Sequence, residues 1–388
     1  MVQVGFIFFL IFVLVNAFIS FFSKNYRKYA LIFYWLSATP FIGFTAFRQW
    51  GIMRDDRAYK NIFNNLDLSH FNDGVLAARD PIWYFLVFLL KSLYEHINVI
   101  AYLSAIVFVV KLYVLTKLCT RKSLNLVLLV YLCSFWQLHD LTQFRASLSV
   151  AFFLFFLWSL VNSNKALSYL WYLASVLSHN SAFFVAIFWA FVREKRNAHS
   201  ISLSRLFLRS ESKENGFSVI FYPSLGVSFL YFLTFLLFIE FGIFLSLEDV
   251  MSLFVSGFSE PASTPLGQLE MYGDRAASGN YDSFRSLPLI LLLVVCLYFF
   301  MLLEFRKKGL NRRAFLGFIS VIIATFLSWV FASISDVQVR FYELFFVGAL
   351  LLLGQVQNKL SFLAGVILAF AYYAKLNILW NIWDLSAL

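Results

Sequence analysis

The run Tyr29-Ala-Leu-Ile-Phe-Tyr-Trp-Leu-Ser-Ala-Thr-Pro40-Phe-Ile-Gly-Phe-Thr-Ala-Phe47 passes nineteen residues without a charge, and Arg48-Gln-Trp50-Gly51-Ile-Met-Arg-Asp55-Asp56-Arg-Ala-Tyr59 follows it at once. The first part is long enough to cross a hydrocarbon layer of ~30 Å as a helix. The second packs three arginines, two adjacent carboxylates and a Trp into eleven positions, 48–58, with Tyr59 directly after. A span that ends on a charged rim reads as a membrane helix delivering a functional loop to one surface. The remainder of the chain then reads as the scaffold that holds this loop.

The bulk composition agrees. Of 388 residues, 61% are hydrophobic and 13% charged, with a mean hydropathy of +0.78, which excludes a soluble globular class. Apolar runs recur at roughly 3–22, 29–47, 97–116, 124–140, 145–162, 166–180, 181–193, 217–246, 286–304, 314–333, 341–355 and 360–380. The expectation is an all-α, polytopic integral membrane protein of about 12 transmembrane helices, one membrane domain over 1–388. Residues 81–96 form a further apolar piece, short for a span, that starts at Asp80-Pro81 and contains Lys91; they read as re-entrant or interfacial. The first run has no Lys or Arg before Lys24 and no small-residue cleavage site after it, so it reads as an uncleaved span. Cys119, Cys133 and Cys296 show no metal spacing and read as structural. The fifty Phe residues read as packing and lipid-facing bulk.

Charge sets the orientation, because short cytoplasmic loops collect Lys and Arg. With the N-terminus outside and 81–96 not crossing, 19 of the 31 basic residues fall on the cytoplasmic side. Only four acids, Glu194, Glu211, Glu214 and Glu304, join them. The basic loop 193–216 is then cytoplasmic, and the two long polar loops, 48–80 and 247–285, are outside. The net charge of +10 suits anionic head groups or a diphosphate, and nothing in its pattern points to nucleic acid.

Four polar sets fall on the outer side. They are Arg48 with Asp55, Asp56 and Tyr59; Gln143-Phe-Arg145 after His139-Asp140; His179 with Ser178, Asn180 and Ser181; and Asp336-Val-Gln-Val-Arg340-Phe-Tyr342. Each has an ordinary reading: a solvated loop, a snorkelling arginine, a satisfied structural histidine, an ion pair at a helix start. Together, three guanidiniums suit a diphosphate, whose oxygens a planar fork bonds two at a time. A His or Asp beside them suits proton removal from a hydroxyl. His179 joins two apolar runs too short to reach the surface comfortably, so its tip is expected in a cavity below it. The adjacent Asp pair could alternatively hold a divalent ion, although no further ligand motif accompanies it.

These landmarks, in order, make the chain resemble the EpsG/Wzy-type group of bacterial polysaccharide polymerases. The matching residues are Arg48, Gly51 and Asp55-Asp-Arg-Ala-Tyr59, then Arg145-Ala-Ser-Leu-Ser-Val-Ala151, then His179-Asn-Ser181, then Arg340-Phe-Tyr342. They cover roughly 40–190 and 330–355, while the termini and 193–285 carry no matching motif. The family's Gly-x-Asp spacing is loosened here to Gly51-Ile-Met-Arg-Asp55, and Asp56 doubles the acid; the four-residue step to Tyr59 favours Asp55 as the family's carboxylate.

The resemblance implies a GT-C-like helical membrane fold and an inverting, metal-independent transferase with no cofactor. It implies an undecaprenyl-diphosphate-linked oligosaccharide donor and acceptor, with transfer to the acceptor's non-reducing end. The place would be the bacterial inner membrane, with the site facing the periplasm, and a chain-length regulator and a flippase of the same pathway would be partners. On this reading Arg48, Arg145 and Arg340 bind the diphosphate. His179, or one of Asp55 and Asp56, is the base. Tyr59, Gln143, Asn180, Tyr342 and Arg275 contact sugar.

Overall fold

A chain this apolar satisfies its backbone in lipid by forming helices. The computed structural model describes residues 2–51, 53, 55–66, 80–186, 301, 311–330 and 335–379, and among these there is no strand. Helices α1 (Val2–Phe22), α2 (Ala30–Phe47), α5 (Asn98–Leu118) and α7 (Phe144–Val161) follow the apolar runs; between α2 and α5 come two shorter elements, α3 (Asp56–Asn65) and α4 (Pro81–Leu93). Next to α7 in sequence are α6 (Leu124–Tyr131), continued by a π-helical turn Leu132–Asp140, and α8 (Lys165–Ser178) with a 3-10 turn Asn180–Ala186. Helices α9 (Arg312–Val330), α10 (Ser335–Leu353) and α11 (Lys359–Ala374) complete the described elements. Among the described residues four helices are long and apolar enough to cross a membrane: Tyr26–Phe47, Asn98–Leu118, Phe144–Val161 and Lys359–Asn377.

Two compact units emerge, one of residues 1–189, 312–314 and 350–388, the other of 190–311 and 315–349. In the first, polar side chains pin apolar helices to each other. Asn16 donates to Ser37 at 2.9 Å, Asn125 to Ser20 at 2.9 Å, Tyr34 to the Leu112 carbonyl at 3.0 Å and Trp136 to Thr45 at 2.9 Å. The segment after α10 closes on the α5–α6 turn: Thr120 N and Ser123 Oγ both donate to the Gly354 carbonyl, at 2.8 and 2.6 Å. A side chain at 354 would strike Cys119 Sγ at 2.5 Å. In the second unit, Ser320 Oγ bonds the Phe345 carbonyl at 2.5 Å, and glycine at 348 leaves room for the Ser320 side chain.

The short elements explain themselves locally. Pro81 starts α4 at its first turn, where its missing N–H costs nothing. At thirteen residues α4 is about 20 Å long, short of a hydrocarbon core. Helix α3 buries Asp56, Tyr59 and Phe63, a single face at helical spacing. Lys91, buried in the last turn of α4, donates to the Phe63 and Leu66 carbonyls at 2.6 and 2.8 Å. It thereby satisfies the C-terminal end of α3, whose last carbonyls have no partner within the helix.

Helices α7 and α8 form a hairpin. Asn164 caps α8 by accepting from Leu167 N at 3.1 Å, and Ser163 takes the left-handed turn at φ 57°. Across the hairpin each of Ser149 and Ser175 donates its hydroxyl to the other's carbonyl, at 3.1 and 3.0 Å, and the two hydroxyl oxygens lie 3.0 Å apart. Small side chains let the helices approach this closely. The pair lies four residues from Arg145 on one helix and four from His179 on the other, one turn below both.

The loops 193–216 and 247–285, with Arg275, lie outside the described residues. Asn180, Arg340 and Tyr342 are placed by backbone only, the last two in α10.

Candidate active site

The charged stretch after α2 folds into a lock. Gly51 takes φ +102°, a conformation open to glycine and strained for other residues. This turn brings Asp56 back onto Arg48: Nη2 donates to Oδ1 at 2.5 Å, while Gly51 N and Met53 N donate to Oδ2 at 2.7 and 3.2 Å. The Arg48 guanidinium lies over the Trp50 ring at 4.4 Å and the Phe144 ring at 5.0 Å. Both side chains of the pair are almost wholly buried, 1% and 2% exposed. Burial lowers the Arg48 pKa, and Asp56 opposes that shift. Trp50 anchors the lock to the start of α5 by donating to Asn98 at 3.0 Å. Asp55, at the N-cap position of α3, is half-buried.

A second arginine–carboxylate pair is built differently. Asp80, at the N-cap position of α4, is 1% exposed. Its Oδ2 accepts from Arg145 Nη1 at 2.7 Å, and its Oδ1 lies 3.7 Å from His179 Nδ1. Arg145 keeps 35% of its side chain exposed and His179 16%. Burial pushes the Asp80 carboxyl up, but His179 and Arg145 together outweigh burial and hold it below its usual range. Three elements distant in sequence, the start of α4, the start of α7 and the end of α8, thus converge on one carboxylate.

Aromatic rings line this place. Tyr59 packs on Phe144 at 4.8 Å and on Trp83 at 5.7 Å, and its hydroxyl is the acceptor for Arg145 N at 3.5 Å. Burial raises the Tyr59 pKa, with Arg145 opposing, so the hydroxyl stays protonated. Gln143 is half-buried at the N-cap position of α7. Beneath, a buried network fixes the approach to α7. Lys111 is bonded to Asp140; Ser147 donates to Asp140 at 2.6 Å and Tyr131 to its other oxygen at 2.6 Å; Ser104 bonds its carbonyl at 2.6 Å.

Of the sequence candidates, Arg48, Asp56, Tyr59, Arg145 and His179 gather around Phe144 and Asp80. Asp80 and the Lys111–Asp140 pair add to them. Asp80 carried a signal, a carboxylate directly before the proline that opens an apolar helix. Lys111 carried another, a charge in the middle of an apolar span, where ionisable groups face protein or water rather than lipid. Among the described residues no group of three His, Cys, Asp or Glu is placed to hold a metal ion.

Fold and site define an all-helical membrane protein in which a partly exposed arginine and histidine meet on a buried carboxylate at the end of a helical hairpin. The chain belongs to the EpsG family, whose model matches residues 31–383, as the four motif sets implied. No curated protein and no solved structure matches it.

Proposed function

We propose that this chain polymerises a surface polysaccharide, such as an O-antigen. On this reading it transfers an undecaprenyl-diphosphate-linked glycan to the non-reducing end of another lipid-linked repeat unit. EpsG membership supports a polysaccharide-polymerase-like function. The observation that carries the chemical reading is the meeting of Arg145 and His179 on Asp80, both partly exposed and on facing helix ends.

In the reaction the acceptor hydroxyl oxygen attacks the anomeric carbon as the bond from that carbon to the phosphate oxygen breaks. Configuration inverts, the hydroxyl proton passes to His179, and undecaprenyl diphosphate leaves. Arg145 stabilises the negative charge growing on the leaving phosphate, a role its planar fork fits. Arg48, sealed behind Trp50 and Phe144, contributes positive field and the shape of the wall. Arg340 joins as a further diphosphate ligand on the strength of its motif. Tyr59, Gln143, Asn180, Tyr342 and Arg275 shape the sugar sites. The arginines supply the charge neutralisation, so the reaction is read as metal-independent.

The full architecture we infer has about twelve spans in a GT-C-like arrangement in the bacterial inner membrane, the site facing the periplasm and open sideways to two polyprenyl tails. The fourteen residues of α8 rise about 21 Å from the turn at 162–164, against a hydrocarbon core of ~30 Å. His179 would then sit below the outer boundary, where water is scarce and charge interactions are strong. A chain-length regulator and a flippase would work beside it.

The test is a gene knockout complemented with wild type, Arg145→Ala and His179→Ala at matched expression, with surface polysaccharide read on a gel. Single repeat units in the knockout, and a ladder restored by wild type alone, support polymerisation. Long lipid-linked chains with no surface sugar point to ligation, and single units held on the cytoplasmic side point to a flippase. Full rescue by both variants overturns the site.

A further inference from the structure

Asp80 takes no part in the proton transfer or the phosphate contact just described, yet it touches the side chains proposed for both. Its two oxygens divide between them. Oδ2 holds Arg145 Nη1 at 2.7 Å, and Oδ1, which has no hydrogen bond, faces His179 Nδ1 at 3.7 Å. The carboxylate is 1% exposed. A buried carboxylate oxygen without a hydrogen bond is costly, and such a group calls for an explanation.

We propose that Asp80 is the positioning residue of the site, one carboxylate that sets both the tautomer of the base and its distance from the phosphate anchor. This rests on the transferase reading above. When the site closes on substrate, Nδ1–H donates to Asp80 Oδ1; catalytic hydrogen bonds that are long in an empty site tighten in this way. The proton on Nδ1 leaves Nε2 as the lone-pair nitrogen directed to the acceptor hydroxyl. Nε2 takes the hydroxyl proton, the carboxylate stabilises the imidazolium, and the proton passes to water between turnovers. Because the same carboxylate grips Arg145, the leaving phosphate and the attacking hydroxyl are registered against one rigid group. Asp80 can serve so because Pro81 fixes the chain at the start of α4 and Trp83, one turn on, is buried against Tyr59 and stacked on Phe144 at 6.3 Å. The serine pair across α7 and α8 holds the other two members one turn below. Among the described residues, His139 on the π-helical turn, Tyr59 and Tyr84 are further ionisable groups around His179 and Arg145.

The test uses the purified full-length protein in lipid nanodiscs, with lipid-linked repeat units extracted from a polymerase-knockout strain as donor and acceptor. Asp80→Asn is expected to lower kcat at least ~100-fold with KM within about threefold, since an amide selects the wrong tautomer. A carboxylate near a histidine raises its pKa, so its removal should move the acid limb of the kcat–pH profile about one unit lower. Asp80→Asn combined with His179→Ala should lose clearly less than the product of the two single losses, because the histidine that Asp80 orients is gone while the amide oxygen can still accept from Arg145. A limb that stays in place, or losses that multiply, overturns the proposal. Should the neutral variant not accumulate, Asp80→Glu keeps the charge and shifts it by one methylene; kcat should fall at least ~10-fold with the limb in place, and wild-type kcat overturns the proposal. If His179→Ala alone keeps wild-type activity, the base assignment in the transferase reading falls, a result separate from any at Asp80.

Discussion

Arg48 with Asp56 and Arg145 with Asp80 are the same two functional groups used twice beside Phe144, and they differ in access to solvent and in what each carboxylate has left over; the Arg48 Nε and Nη1 atoms are themselves buried without a hydrogen bond, over aromatic rings. Asp56 spends both oxygens on Arg48 and two backbone amides, and the pair is sealed under Trp50. Asp80 has one oxygen facing a histidine, and Arg145 keeps a third of its side chain open. A closed pair fixes a loop. A pair with spare valence on a partly open surface can hand that valence to a ligand. The three-arginine reading of the sequence treated these guanidiniums as equivalent, and their surroundings separate them.

That separation predicts opposite failures. The largest effect belongs to the closed pair. Asp56→Ala leaves a buried guanidinium and two amides without an acceptor, and should cost about 3–5 kcal/mol. It would be read as lost thermal stability and yield in detergent. Replacing both partners by apolar residues, Arg48→Met with Asp56→Leu, should recover much of that loss. If the single variant is as stable as wild type, the lock is not structural and Arg48 returns to the list of direct phosphate ligands.

The open pair should fail in rate. Arg145→Lys keeps the charge and loses the fork, and should reduce polymer formation ~10²-fold, about 2.7 kcal/mol of transition-state stabilisation. Its melting temperature should stay within about 3 °C of wild type, because the lysine ammonium leaves buried Asp80 with a cationic partner that is itself one-third exposed. A large melting shift with normal turnover would reverse the two roles.

A third variant isolates the backbone of the lock. Gly51 has nothing within 4 Å of where a Cβ would stand, so Gly51→Ala meets no neighbour and pays only for φ +102°. The expected cost is about 1–2 kcal/mol, measured by denaturation in detergent, with turnover changed less than stability.

Much of this was legible in the chain. The apolar runs at 97–116, 145–162 and 166–180 appear as Asn98–Leu118, Phe144–Val161 and Lys165–Ser178, because membrane helices advertise themselves by composition. Arg48, Gly51, Asp56 and Tyr59 lie within twelve residues, so their association follows from local geometry. Asp80 does not: its arginine is 65 residues away, and nothing in local periodicity records a pairing between helices far apart in sequence. The expected span 124–140 also changes character, from α6 to a π-helical turn at Leu132. There Gln137, His139 and Asp140 are all buried, and a π turn is a common way to place polar groups at a functional site. Apolar periodicity reports which side chains avoid water. It is silent about which polar groups inside find each other.

The smallest expected effect concerns acid, and it tests whether the open pair is held by its partners. Asp80 is kept ionised below its usual range by His179 and Arg145 despite burial. A carboxyl whose folded pKa is depressed contributes stability above its unfolded value, near ~3.9, and loses it only as pH falls through the lower folded value. Between pH 7 and about 5 the Arg145–Asp80 contact should therefore persist, and the protein's melting temperature should not fall on its account. Arg145→Ala removes one of the two groups that hold the carboxyl down and leaves burial pushing it up. In that variant Asp80 should take up its proton at a higher pH than in wild type, visible as a carboxyl band in difference infrared spectra that is lost in Asp80→Asn/Arg145→Ala. An identical titration in wild type and Arg145→Ala would mean that the arginine does not govern the carboxylate, and the contrast between the two pairs would then rest on exposure alone.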